Sequence, residues 1–269
     1  MNEALRKRIA TAVPLGMLLL VVLLALPPVF TVATVTLVML AGAWEWSGFL
    51  KLASPLLRAA YVGLIAALIA MSWSIAASPV ARAALIDVAV LWWIVALLWV
   101  TLAPQRGTAA TAALAGVLAL VPAWLALVCM RLGTNGAQWV VFTLILVFAA
   151  DIGAYFGGRL FGRVKLAPQV SPGKTWEGVL GGILLSSAWA AGGSLWFHIP
   201  WRSFVPLCVA VVAFSIVGDL TESMLKRFAA LKDSGSLLPG HGGMMDRIDS
   251  ITAAAPVMFY GLTLMGIAS

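Results

Sequence analysis

The chain has 269 residues, of which 62% are hydrophobic and 10% charged, and its formal net charge is +7. Soluble domains carry about 25% charged residues, so the composition excludes an ordinary soluble protein and predicts an integral membrane protein seated in a lipid bilayer. Nucleic-acid binding is excluded as well, because no soluble basic domain exists to carry it.

Cys129 and Cys208 lie in apolar runs. They suggest neither a disulfide framework nor a zinc site and read as small buried hydrophobes. The N-terminus, Met-Asn-Glu-Ala-Leu-Arg-Lys-Arg, leads into an apolar run that continues past Leu26 to Pro27-Pro28. A signal peptide has a short apolar core and then a small-residue cleavage site, so this run is expected to be a retained first span.

A helix needs about 20 apolar residues to cross ~30 Å of hydrocarbon. Nine stretches qualify: Ile9 to Leu26, Val29 to Phe49, Leu56 to Ala76, Ala84 to Leu102, Ala109 to Cys129, Gln138 to Gly157, Gly178 to Phe197, Phe204 to Leu220 and Ser250 to Ile267. Only Pro27-Pro28 separates the first two, which predicts a tight helical hairpin. The expected fold is all-α: a polytopic membrane protein of about nine transmembrane helices forming one integrated domain. Residues 1–137 would be a five-helix scaffold, and residues 138–269 would hold four helices, cytoplasmic loops and the chemistry. Trp44, Trp46, Trp73 and Trp139, near span ends, read as interfacial anchors.

Orientation follows from Lys and Arg in the loops. With the N-terminus in the cytoplasm and nine spans, the outer side holds only Arg82, Arg131 and Arg202 of the 17 basic residues. Topology setting and anionic headgroups account for the basic residues of the first half. They do not account for the acidic residues gathered among the basic ones in the second half.

Three polar clusters fall on the predicted inner side. In the first, Asp151, Tyr155 and Arg159 are spaced i, i+4, i+8 and share a helix face. Asp151 lies about 12 Å from the basic edge along the helix, and an ionisable group within a span is a functional candidate. The second is Ser171-Pro-Gly-Lys174-Thr175-Trp-Glu177-Gly178. A P-loop would place Gly where Pro168 stands and would need a preceding strand, so a P-loop NTPase is rejected. Ser171, Thr175 and the amides opening a helix still suit an anion, with Lys174 supplying charge; the plainer reading is an ordinary helix start with a hydroxyl cap and Glu177 favouring the dipole. The Gly178-to-Gly182 spacing that follows suggests close helix packing and a dimer seam.

The third cluster runs from the end of the eighth span into the ninth. Asp219, Glu222, Ser223 and Lys226 form one stripe, with Ser215 extending it inward. Asp246 and Asp249, after Gly240-His-Gly-Gly243, point one way if that turn is helical. Carboxylates converging in this way repel one another unless a cation lies between them. Hard oxygen donors suit Mg²⁺, which takes one or two carboxylates plus substrate phosphate oxygens, and the nearby Lys and Arg would hold the remaining phosphate charge. His241 reads as a phosphate hydrogen-bond donor or loop-shaping residue, because Mg²⁺ does not favour imidazole.

The segment closely resembles the signature of the phosphatidate cytidylyltransferases, the CDP-diacylglycerol synthases. It carries Ser223, Lys226-Arg227, Lys232-Asp233, Gly235, Pro239, His241-Gly242-Gly243, Asp246-Arg247 and Asp249. The stretches Asp151 to Tyr155 and Ser171 to Gly178 also look like segments of that family. The resemblance implies an all-helical membrane enzyme, dimeric, with its site facing the cytoplasm of an inner membrane. Its reaction would convert CTP and phosphatidate to CDP-diacylglycerol and pyrophosphate, with Mg²⁺.

On that resemblance, Asp219, Asp246, Lys226 and Arg247 form the catalytic group. Asp219 and Asp246, then Asp249, hold the metal, with Ser223 as a further ligand. Lys226, Arg227, Lys232 and Arg247 hold the triphosphate or the lipid phosphate, with Asp233 and His241 beside them. Lys174, with Ser171 and Thr175, holds a further phosphate, and Asp151 and Tyr155 orient substrate or complete the metal shell. The rivals are a CTP-dependent lipid kinase and an ion-coupled transporter. No inverted repeat of the kind transporters show is found.

Overall fold

A computed structural model describes residues 3–237 and 242–268, with side chains from residue 14 onward except at position 75. The elements, in order, are α1 (Glu3–Leu24), α2 (Pro28–Trp46), α3 (Pro55–Ile75), α4 (Pro79–Leu102), α5 (Ala109–Leu132), α6 (Gly136–Phe161), β1 (Lys165–Ala167), β2 (Ser171–Thr175), α7 (Trp176–Trp196), α8 (Trp201–Phe228) and α9 (Met245–Leu264). Among the described residues, α2 to α8 give seven helices long and apolar enough to cross a bilayer. The chain is therefore a multi-pass, helical membrane protein. The other two long helices, α1 and α9, carry charged residues in their opening turns.

Local chemistry sets the helix starts. Proline opens α2, α3 and α4, where its missing N–H is no loss and its fixed φ suits the first turn. Ser54, Ser78 and Thr108 cap α3, α4 and α5, each accepting from a first-turn amide. The turn from α1 to α2 is tight, as Pro27-Pro28 predicts: the Thr31 hydroxyl donates to the Val22 carbonyl at 3.2 Å.

The most enclosed helices are α5 and α9, which pack against each other. Both helices are rich in buried small residues, Ala112, Ala115 and Ala119 on α5 and Ala253, Ala254 and Ala255 on α9. Lipid is as apolar as leucine, so helices in a membrane associate by close packing, and small side chains permit it. Leu160, Phe161, Leu184 and Leu195 are exposed on the outer surface, where acyl chains would cover them.

Two expectations are corrected here. The Gly-Lys-Thr stretch was expected to have no strand before it, yet Ser171–Thr175 is itself a strand, β2, antiparallel to β1 with Lys165 opposite Thr175. The hairpin bridges α6 and α7 because Val170 packs with Val100, Leu220 and Met224, tying it to α4 and α8. The glycine run was expected to suit a dimer seam, but it lies inside the chain. A Cβ on Gly178, Gly181 or Gly182 would meet the α6 backbone carbonyls of Ala154, Gly153 and Ala150 at 2.9, 2.5 and 2.8 Å. That seam sets the distance between α6 and α7, and with it the width of the cavity beside them.

Candidate active site

Helices α6, α7 and α8 and the hairpin enclose a cavity of about 550 Å³, a size typical of small-ligand sites. Asp151, Tyr155, Arg159, Lys174, Thr175 and Asp219 line it, with an apolar wall that includes Val179, Val212 and Ile216. The shared face expected of the first cluster is present: Arg159 Nη1 donates to the Tyr155 hydroxyl at 2.6 Å. Lys174, near the end of β2, reaches across the cavity to Asp219 Oδ2 at 2.5 Å. Ser223 donates to the other oxygen of Asp219 at 3.3 Å.

The stripe on α8 joins this cavity to a second charged group. Lys226 Nζ lies 2.6 Å from Glu222 Oε2 and 2.6 Å from Asp246 Oδ1. Asp246 Oδ2 accepts from the Ser234 and Gly243 amides at 3.1 and 2.9 Å and lies 3.0 Å from the Ser234 hydroxyl. Because α9 begins at Met245, Asp246 and Asp249 are both helical and one turn apart. Asp249 is buried, within electrostatic reach of Asp219 and Glu222.

Asp151, Asp219, Glu222, Asp246 and Asp249 thus form a connected acidic set. Lys174 and Lys226, the two lysines paired into it, neutralise only part of its charge. Among the described residues, no three His, Cys, Asp or Glu side chains converge into a ready-made ion cage. The carboxylates are hard oxygen donors, the chemistry that Mg²⁺ accepts when one or two of them are completed by ligand phosphate oxygens.

The remaining sequence candidates are distributed as follows. Thr175 Oγ1 accepts from the Gly178 amide at 3.1 Å, so it caps α7 as well as lining the cavity. Glu177 accepts from the Val164 amide through both oxygens, tying the base of the hairpin to α7. Ser171 lies at the far end of β2, outside the cavity lining. Arg227 is exposed and makes one long contact, 3.5 Å, with the Val170 carbonyl. Lys232, Asp233 and Arg247 are exposed beside the Asp246 group, and Ser215 donates to the Val212 carbonyl of its own helix. His241 lies outside the described residues.

Replacing Thr175 by Ala should cost about 1 kcal/mol through loss of the cap. Thr175→Ser should restore it, which thermal unfolding in detergent would show.

The sequence reading overlooked Glu45. It is buried on α2 at 3% exposure and contacts Ser234 and Met245. Its signal was present, because an acidic residue between Trp44 and Trp46 in an apolar span meets the same criterion that singled out Asp151.

The chain is similar to known proteins along nearly its whole length. The model of the cytidylyltransferase family matches residues 6–265. The chain is 39% identical over 260 residues to a phosphatidate cytidylyltransferase of Pseudomonas aeruginosa, covering 94% of this chain and 95% of that protein. It is 36% identical over 282 residues to one from Haemophilus influenzae, covering 95% and 98%. A phosphatidate cytidylyltransferase of Brucella suis is 44% identical over 128 residues, 46% of each chain. Similarity of this extent, running through both the scaffold helices and the charged clusters, means that the chain belongs to the cytidylyltransferase family.

Proposed function

We propose that this protein transfers the cytidylyl group of CTP to phosphatidate, giving CDP-diacylglycerol and pyrophosphate. The observation that carries the reading is the junction on α8 of a half-apolar cavity with a lysine-paired acidic cluster. A lipid phosphate needs the first and a nucleotide triphosphate with its cation needs the second.

An oxygen of the lipid phosphate attacks the α-phosphorus of CTP. The new P–O bond forms as the α–β bridge breaks, and pyrophosphate departs with the bridging oxygen. The attacking oxygen is already anionic, so no base has to remove a proton. Catalysis then rests on positioning and charge neutralisation. Lys174 and Lys226 exchange their carboxylate partners for phosphate oxygens; Arg159 lines the cavity, and Arg247, exposed and next to Asp246 in the chain, is offered to the same phosphates. One or two of Asp219, Asp246 and Asp249 would hold Mg²⁺, whose charge would offset that growing on the leaving pyrophosphate.

The nine-span topology with a cytoplasmic N-terminus belongs to the same proposal. It is supported by the bias of Lys and Arg toward one side and by the lengths of α1 and α9, 22 and 20 residues. The site then faces the cytoplasm of an inner membrane, where CTP is available.

Product analysis tests the reaction. Purified protein with CTP and phosphatidate should release one pyrophosphate per CDP-lipid formed. Release of CDP with a phosphorylated lipid would instead make it a kinase, and cation flux in proteoliposomes without lipid product would make it a transporter.

A further inference from the structure

Glu45 lies far from the charged clusters in sequence yet touches the segment that carries Asp246. Its Oε2 accepts from the Ser234 hydroxyl at 2.9 Å and from the Met245 amide at 2.8 Å. Met245 opens α9, where first-turn amides have no partner within the helix, and the preceding residue, Met244, supplies no side-chain cap. The helix bearing Asp246 and Asp249 therefore begins on a carboxylate supplied by α2.

Ser234 links the two acidic groups. Its hydroxyl lies 3.0 Å from Asp246 Oδ2 and receives the Asp246 amide at 3.3 Å. The glycines of the signature segment fit the same centre. A Cβ on Gly235 or on Gly243 would collide with the Glu45 carboxylate. The small residues on either side of the segment are thus shaped around a side chain that lies outside it.

We infer that Glu45 is a positioning residue for Asp246: through Ser234 and the first turn of α9 it sets where that carboxylate stands relative to Lys226. The kinetic consequence rests on the cytidylyl-transfer reading, whereas the structural consequence does not. Both donors converge on Oε2, so in Glu45→Gln the amide oxygen can still accept from them, while an NH₂ takes the place of the other oxygen and the negative charge that holds the Ser234 hydroxyl and the Met245 amide is removed. Size and burial are kept.

The test uses the full chain in detergent, with Glu45→Gln and Ser234→Ala made singly and together. Displacement of a reacting group by about 1 Å can cost on the order of 100-fold. Each single variant should therefore lower kcat about tenfold or more, with KM for CTP changed less than about threefold. Because both act on Asp246 through one path, the double variant should be no more than about twofold slower than the slower single variant. Amide hydrogen exchange across residues 242–249 should quicken in Glu45→Gln, while exchange in α6 and α7 stays at the wild-type level.

Wild-type kcat in Glu45→Gln overturns the inference. So do losses that multiply in the double variant, unchanged exchange over residues 242–249, or a loss matched by a smaller folded fraction whose survivors turn over normally. If the wild-type protein makes no CDP-lipid, the functional reading falls, and the exchange measurement alone decides the role of Glu45.

Discussion

Asp246→Asn should lower kcat for cytidylyl transfer by at least about 100-fold while the protein still folds. One carboxylate oxygen faces the Lys226 ammonium and the other faces the Ser234 and Gly243 amides and the Ser234 hydroxyl. An asparagine has a single acceptor oxygen. Turned one way, its NH₂ opposes Lys226; turned the other, it opposes the two backbone amides and the hydroxyl. Either rotamer leaves donor against donor, costing about 1–3 kcal/mol locally. Lys226 keeps Glu222 at 2.6 Å, so no buried cation is orphaned and the fold survives. What is lost is a fixed negative group beside the reacting phosphates. The check is CDP-lipid formation from CTP in detergent across a Mg²⁺ titration, with folding followed by size-exclusion and thermal unfolding. Near-normal turnover at every Mg²⁺ concentration would remove Asp246 from the site.

Gly181→Val should abolish folding of the α6–α7 pair, the largest stability effect expected of any single substitution here. The Cβ at position 181 would stand 2.5 Å from the Gly153 carbonyl oxygen and 3.1 Å from the Gly157 Cα. Both obstacles are backbone, so the clash is relieved only by pulling the helices apart along the whole seam. The cost should exceed about 4 kcal/mol, in the range reserved for severe overpacking. The cavity shares these walls, so any residual protein should also be inactive. Gly192→Ala is the control: it lies in the same helix with nothing within 4 Å of the added methyl, and it should express and unfold like wild type. Yield of monodisperse protein in detergent separates the two variants. A well-folded Gly181→Val protein would show that the seam opens at little cost.

The clusters themselves were legible because each is short in sequence and periodic. Asp151, Tyr155 and Arg159 share a face by helical spacing alone, as do Asp219, Glu222, Ser223 and Lys226. The strand at Ser171–Thr175 was not legible. Gly173 and Pro172 discourage a helix without specifying a hairpin, and β2 forms because Val170 finds an apolar niche between α4 and α8. The glycine run was recognised as a packing face, but its partner was not, since a small-residue stripe fits a neighbouring helix of its own chain or of another equally well.

Membrane residence, the placing of the apolar helices and the presence of a phosphate-handling charge cluster are determined by the chain alone. Each depends on hydropathy or helical period over a few turns, and those properties do not change with what lies alongside. Which charges meet is another matter. Lys174 pairs with Asp219 and Lys226 with Asp246, while Glu45 reaches Ser234 across 189 positions. These partnerships depend on how α2, α8, α9 and the hairpin pack together, and ion pairing acts through distance in space rather than spacing along the chain.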